Sequence, residues 1–184
     1  MNFALPAAAQ VFVSAQGGAA AISNGAAVSA SPVAAASYDS KPGAAFAASA
    51  GYLFNDWIGA ESVYSFNRNR ILTSEVAGSS LNQREFTAKQ HSWTFEAMLY
   101  FRPRTSRIRP YLSAGPSLVQ ARERTLGGLR VAVGTDLMLS NGWGFRYSFS
   151  EVMSRNPLAT DLRPSIGGKL LNFQNQFGIV KVFR

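Results

Sequence analysis

The chain has 184 residues, no cysteine, 47% apolar and 15% charged residues, and a formal net charge of +8. That length is one domain. The missing cysteines exclude a disulfide frame and thiolate metal sites, and the charged fraction is well below the quarter usual in soluble proteins. No stretch reads as a membrane-spanning helix, because the charge-free run Met1–Tyr38 is rich in Ala, Gly and Ser and interrupted by Gln10, Gln16, Asn24 and Pro32.

In chain order, Met1–Ala9 is apolar and ends Ala7-Ala8-Ala9, as a secretory leader remnant or a frayed terminus would. It is set outside the fold, which then runs over 10–184. A first strand is predicted over Val11–Ile22, and Ser23–Pro42, rich in Ser, Ala, Gly and Asn, reads as a long loop. In the second strand, Gly43–Phe54, Phe46, Ala48, Ala50, Tyr52 and Phe54 share one face, opposite Ala45, Ala47, Ser49 and Gly51. Asn55-Asp56 is a tight turn. The third strand, Trp57–Arg68, sets Ile58, Ala60, Tyr64 and Phe66 against Gly59, Glu61, Ser65 and Asn67, and Asn69–Lys89 reads as a polar loop.

The hairpin Gln90–Ala121 shows the repeating unit most clearly. Its first arm sets Trp93, Phe95, Ala97, Leu99 and Phe101 against Ser92, Thr94, Glu96, Met98 and Tyr100. After Pro103–Ile108, the second arm sets Pro110, Leu112, Ala114, Pro116 and Leu118 against Tyr111, Ser113, Gly115 and Ser117. A mid-strand carboxylate among small polar groups, opposite a large apolar face, is the pattern of a barrel with lipid outside and a polar lumen. Pro116 has no N–H to give a ladder, so an irregularity is expected between Gly115 and Leu118.

Arg122–Gly127 reads as a charged loop. The sixth strand, Gly128–Ser140, carries Arg130 and Asp136 on its polar face, and Asn141-Gly142 is a strong hairpin signal. In the seventh strand Trp143, Phe145, Tyr147 and Phe149 oppose Gly144, Arg146 and Ser148. Ser154–Gly168 is a loop and Lys169–Phe183 the last strand. Eight strands with alternating long and short connections, and aromatics near both ends, predict an all-β, closed, antiparallel, eight-stranded up-and-down transmembrane barrel. Tyr52, Phe54, Trp57, Phe101, Tyr111, Trp143 and Phe145 would form one aromatic girdle, and Phe66, Trp93, Phe149 and Phe173 the other.

The segments Ala50-Gly51-Tyr52-Leu53-Phe54, Arg109-Pro110-Tyr111-Leu112-Ser113-Ala114-Gly115, Gly142-Trp143-Gly144-Phe145-Arg146-Tyr147 and Gln176-Phe177-Gly178-Ile179-Val180-Lys181-Val182-Phe183 resemble the small outer-membrane barrels of the OmpA/OmpX type. The resemblance covers about Val11–Arg184 and implies a Gram-negative outer membrane, contact with its lipid and lipopolysaccharide, and insertion by the barrel-assembly machinery. That machinery reads a last strand ending in an aromatic; here Arg184 follows Phe183, and Lys181 falls on the lipid side, where its amine can snorkel to the interface.

Glu61, Glu96, Arg130, Asp136 and Arg146 share the inward parity. A narrow lumen requires such charges to pair, so they read as a lumenal charge network plugging the barrel rather than a gated ion path. Arg146 is expected to serve at least one of Glu61 and Glu96. Hydrolase chemistry would need a Ser and a His on one face, but the lone His91 and its neighbour Ser92 point to opposite faces, and His91 reads as interfacial. Arg102, Arg104, Arg107 and Arg109 read as a solvated turn before a site for anionic head groups or cell-wall polymer. The expectation is therefore a monomeric, non-enzymatic envelope protein with no catalytic residues, metal, cofactor or nucleic-acid partner, whose long loops serve adhesion or ligand binding. A lipid-modifying enzyme and a soluble lipocalin-like barrel are the alternatives.

Overall fold

Period-two alternation carries the architecture. The computed structural model describes residues 9–30, 33–121, 124–156, 162 and 164–183. Among them the strands are β1 (Gln10–Ile22), β2 (Gly25–Ala30), β3 (Val33–Leu53), β4 (Ile58–Ala77), β5 (Ser80–Tyr100), β6 (Ile108–Ala121), β7 (Arg124–Met138), β8 (Trp143–Arg155) and β9 (Lys169–Val182). From β3 to β9 each strand pairs antiparallel with the next, and β1 pairs with both β9 and β3. Eight strands therefore form a closed ring, and β2 hangs on β3 alone.

The faces have the polarity that the sequence predicts. Phe95, Leu99, Leu112, Val133, Leu137, Tyr147 and Phe177 all point outward, with Phe95 62% exposed. Glu61, Glu96, Arg130, Asp136 and Arg146 are buried inside, none above 6%. A soluble barrel would need the reverse, so the lipocalin-like alternative is excluded. Tyr111 departs from its expected girdle position: it keeps the parity of Ser113 and lies buried in the lumen.

The long loops are largely not loops. Ser23–Pro42 was expected to be irregular, yet β2 pairs with the start of β3 from Gly25↔Tyr38 to Ala30↔Val33. Asn69–Lys89 forms the upper halves of β4 and β5, paired without a break to Ala77↔Ser80. Gly78, at φ +60°, takes the left-handed position in the two-residue turn. The inward parity never lapses here, because Asn67, Asn69, Ile71 and Thr73 continue the row of Glu61. Only the outward residues change, from Tyr64 and Phe66 to Arg68 and Arg70. Beyond the bilayer the outer face meets water, so the apolar-out signal disappears while the strand continues. Likewise β7 already begins at Arg124. The Met1–Ala9 expectation, Ala9 aside, and part of Ser154–Gly168 lie outside the described residues.

Three local devices fit the strands to the ring. Pro42-Gly43 sits where the β3–β4 register shifts between Lys41 and Ala44, a bulge that moves the inward set from Ala36 and Tyr38 to Ala45 and Ala47. Asn141 and Gly142 both take positive φ and make the sharp β7–β8 turn. At Pro116 the β5–β6 ladder skips Phe95/Pro116 and Glu96/Gly115, then resumes in the same register. The β6–β7 side is continuous. The irregularity is thus a gap on one side at 115–116, with no bulge.

Two apolar clusters bracket a polar middle. Near the short turns lie Phe12, Leu53, Met98, Tyr100, Tyr111, Val180 and Val182. Near the long connections lie Ile22, Tyr38, Ile71 and Leu170 together with Leu162 and Ile166, which come from the segment between β8 and β9.

Candidate functional site: the lumen and its two mouths

Cross-strand register sets the lumenal chemistry. Asp136 and Arg146 are direct partners across β7–β8, and the arginine Nε and Nη2 donate to the two carboxylate oxygens at 2.7 and 2.9 Å. Its Nη1 spans the lumen to Glu61 Oε1 at 2.7 Å. Tyr100 donates to Asp136 at 3.1 Å, and the Arg146 guanidinium lies 4.9 Å from the Phe12 ring and 5.1 Å from that of Tyr111. One arginine thus bridges two acids from β4 and β7 inside a fence of aromatic rings. Arg130 pairs with Glu96, which also accepts from Ser113. Each inward acid has a basic partner, with Arg146 on Glu61 and Arg130 on Glu96.

Above the ions comes a neutral layer, including Ser148 to Gln16 at 2.7 Å, Thr94 to Ser117 at 2.8 Å and Asn172 to Asn67 at 2.9 Å. The first skips one strand, from β8 to β1, the second joins the neighbours β5 and β6, and the third reaches three strands round the ring from β9 to β4, in the place where a soluble domain has its hydrophobic core. Still higher, burial pushes the Tyr38 phenol above its usual pKa, while hydrogen bonds from Asn156 and Ser23 act the other way.

His91 and Ser92 are separated as parity requires. His91 Nδ1 lies 2.7 Å from the Tyr64 hydroxyl on the outer face, and Ser92 bonds Ser65 inside. The arginine turn is not uniformly solvated. Arg104 Nε lies 3.3 Å from Asp56 and donates to the Asn55 carbonyl, while Nη2 donates to that of Leu53, pinning the β3–β4 turn. Arg109 is 2% exposed and stacks 4.0 Å from the Tyr100 ring centroid. With it the lumen holds Arg109, Arg130 and Arg146 against Glu61, Glu96 and Asp136. Its parity with Tyr111 was the available signal; its place next to the turn hid it. Lys181 extends along the outer rim, its Nζ 2.6 Å from the Asn141 carbonyl and 5.0 Å from the Trp143 ring.

The description "Outer membrane protein beta-barrel domain" matches residues 2–178. The chain belongs to this outer-membrane β-barrel family. Its place is the bacterial outer membrane, with short turns toward the periplasm and long connections outside. Among solved structures, OprG of Pseudomonas aeruginosa aligns with TM-score 0.65 at 15% identity, covering 95% of this chain and 96% of its own. Neisserial surface protein A aligns at 0.64 and 20% identity, covering 96% and 100%. Ail of Yersinia pestis aligns at 0.51 and 12%, covering 95% and 99%. At these identities the likeness concerns the fold. No curated protein matches the sequence.

For an outer-membrane barrel the other notable surface is the outer wall just above the upper aromatics. Phe66 pairs with His91 in register, and one step further Arg68 pairs with Lys89, followed by Arg70 with its neighbour Lys41 on β3. All four cations are exposed. Arg70 has only a loose contact, 3.9 Å, with Glu85.

Proposed function

We propose that this outer-membrane barrel is a non-enzymatic envelope protein whose tall extracellular sheet is its contact surface for adhesion or ligand binding. The carrying observation is the unbroken pairing of β4 and β5 from Arg68↔Lys89 to Ala77↔Ser80. Those pairs extend the ring by about 30 Å of strand at roughly 3.3 Å per residue. With β2 and the start of β3 they form a sheet rather than a set of loops, and a paired sheet presents a binding surface with less ordering entropy to lose. The row Lys41, Arg68, Arg70 and Lys89 at its base supports lateral anchorage to lipopolysaccharide phosphates, since cations above an aromatic girdle lie at head-group depth.

The test replaces residues 71–86 by a tight turn in bacteria displaying the protein. The shortened barrel is expected to keep heat-modifiable gel migration but to reduce adherence to a cultured cell monolayer to that of bacteria lacking the protein. Equal adherence would refute the sheet as the contact surface. Release of acyl chains from labelled phospholipid above empty membranes would refute the non-enzymatic reading.

A further inference from the structure

The periplasmic mouth holds a vestibule of about 800 Å³. Gln10, Arg109, Met138 and Val182 bound it from lumen-side positions, and the β5–β6 turn brings Arg104 and Arg107 to its rim. Among the described residues no carboxylate lines it. Arg104 is committed to Asp56, and exposed Arg107 makes no ion pair with the described residues.

Arg109 is the anomaly. Arg130 and Arg146 are each matched to carboxylates. Arg109, buried as deeply, has Nε and Nη2 without a hydrogen-bond partner. Its register partner across β6–β7 is Asp136, but Arg146 and Tyr100 already occupy both oxygens of that carboxylate. Buried donors left unpaired are costly. Nε and Nη2 form the side-on edge of a guanidinium, whose parallel N–H bonds match two oxygens of one carboxylate or phosphate.

We propose that the vestibule is an anion-binding site, in which the Arg109 edge takes a carboxylate or phosphate bidentately and Arg107 takes a second charge of the same ligand. Seating the anion displaces the partly buried Met138 side chain, a flexible thioether that moves readily. The vestibule opens at the periplasmic end, between the β5–β6 and β7–β8 turns and beside Arg109 at the lumen's lower mouth. The ligand therefore enters from the periplasm, as a small polyanion or the anionic end of a slender chain.

The experiment titrates the ¹⁵N-labelled barrel in neutral detergent with citrate and with pyrophosphate, holding ionic strength with sodium chloride. Calorimetry gives Kd and the Arg109 Nε–H resonance reports the contact. Saturable binding is expected, with that resonance shifting. Arg109→Lys, which keeps the charge but loses the fork, should weaken binding roughly tenfold or more, as loss of one charge-assisted bond implies. Arg107→Gln should weaken it several-fold, and Lys169→Gln, at the far end, should leave it unchanged. Preference for citrate or pyrophosphate assigns the ligand to the carboxylate or phosphate class. An unchanged Kd in Arg109→Lys, binding that leaves the Arg109 resonance still, or no saturation overturns the proposal. If Arg109→Lys does not fold, the wild-type resonance and Arg107→Gln decide it in the same way.

Discussion

Replacing Arg146 with Met isolates the energy of the lumenal ion network. The substitution keeps much of the side-chain volume, so a cavity contributes little. It removes three charge-assisted bonds to carboxylates, two to Asp136 and one to Glu61, besides a longer one to the Tyr100 hydroxyl. At about 1.5–3 kcal/mol each these sum to roughly 4.5–9 kcal/mol. The orphaned carboxylates relax and recruit water, and breaking one side of a buried ion network typically costs about 3–5 kcal/mol, the loss expected here. The quadruple variant Glu61→Gln/Arg109→Met/Asp136→Asn/Arg146→Met removes two acids and two bases together, including the arginine in register with Asp136, so no lumenal charge loses its counter-charge. It should recover most of the loss, because exchanging a whole buried network for neutral groups is often close to neutral. Urea unfolding in lipid vesicles measures both, read by tryptophan fluorescence. Trp57, Trp93 and Trp143 all sit exposed on the outer wall, so their emission follows departure from the bilayer. A single variant within about 1 kcal/mol of wild type, against the 3–5 kcal/mol expected, would refute the reasoning. A quadruple variant as unstable as the single one would assign the loss to packing.

Three further outcomes follow from the wall. Phe95→Arg and Val133→Arg place a charge higher on the lipid face and should each cost roughly 2–4 kcal/mol near mid-bilayer, whereas Leu99→Arg and Leu137→Arg, close to the periplasmic girdle, should cost about 0–1 kcal/mol, measured by the same unfolding; no loss in the first pair would reverse the assignment of faces. At the β5–β6 gap, Gly115→Val should destabilise far more than Pro116→Val: a Cβ on Gly115 would collide with the Phe95 carbonyl oxygen, whereas Pro116 points outward and its replacement supplies a donor. Equal melting temperatures for the two would contradict this. Finally, Lys41→Gln/Arg68→Gln/Lys89→Gln should reduce lipopolysaccharide co-purified with the barrel without altering its heat-modifiable migration.

The ring and its polarity were legible because two solvents write opposite halves of each strand. Phe95 opposite Glu96, and Phe145 opposite Arg146, leave one consistent choice of inside. The upper sheet was not legible for the same reason. Arg68, Arg70 and Lys89 meet water, and from there the strand resembles a polar loop, although Asn69, Ile71 and Thr73 keep the beat inside. In the lumen, parity brought out Glu61, Glu96, Arg130, Asp136 and Arg146, but not who pairs with whom. The reach of Arg146 to Glu61 depends on lumen width and on Asp136 already fixing one edge of the guanidinium. Arg109 escaped notice because adjacency to a turn suggested solvent, while its inward parity brings its guanidinium against the Tyr100 ring.

These layers bear directly on permeation. From the outside, a hydrated ion first meets Ile71, Leu170, Leu162 and Ile166, an apolar layer that shuts water out. It then meets the Ser/Asn/Gln layer, and next Arg146, whose cation would have to release Glu61 or Asp136 to let it by. Phe12, Met98, Tyr100 and Tyr111 close the lower end. No single side chain opens such a series. Ile71→Ala/Leu170→Ala should therefore stay as silent as wild type in planar bilayers. Joining that pair to the Glu61→Gln/Arg109→Met/Asp136→Asn/Arg146→Met set and to Phe12→Ala/Tyr111→Ala removes the ionic and the lower apolar barriers as well, and brief openings are expected only then. The measurement is single-channel current at fixed voltage. A large, steady wild-type conductance would mean that the ionic layer does not occlude the lumen. Steady current in the Ile71/Leu170 pair alone would place the whole barrier at the outer mouth and leave the Arg146 network a purely structural tie between β4, β7 and β8.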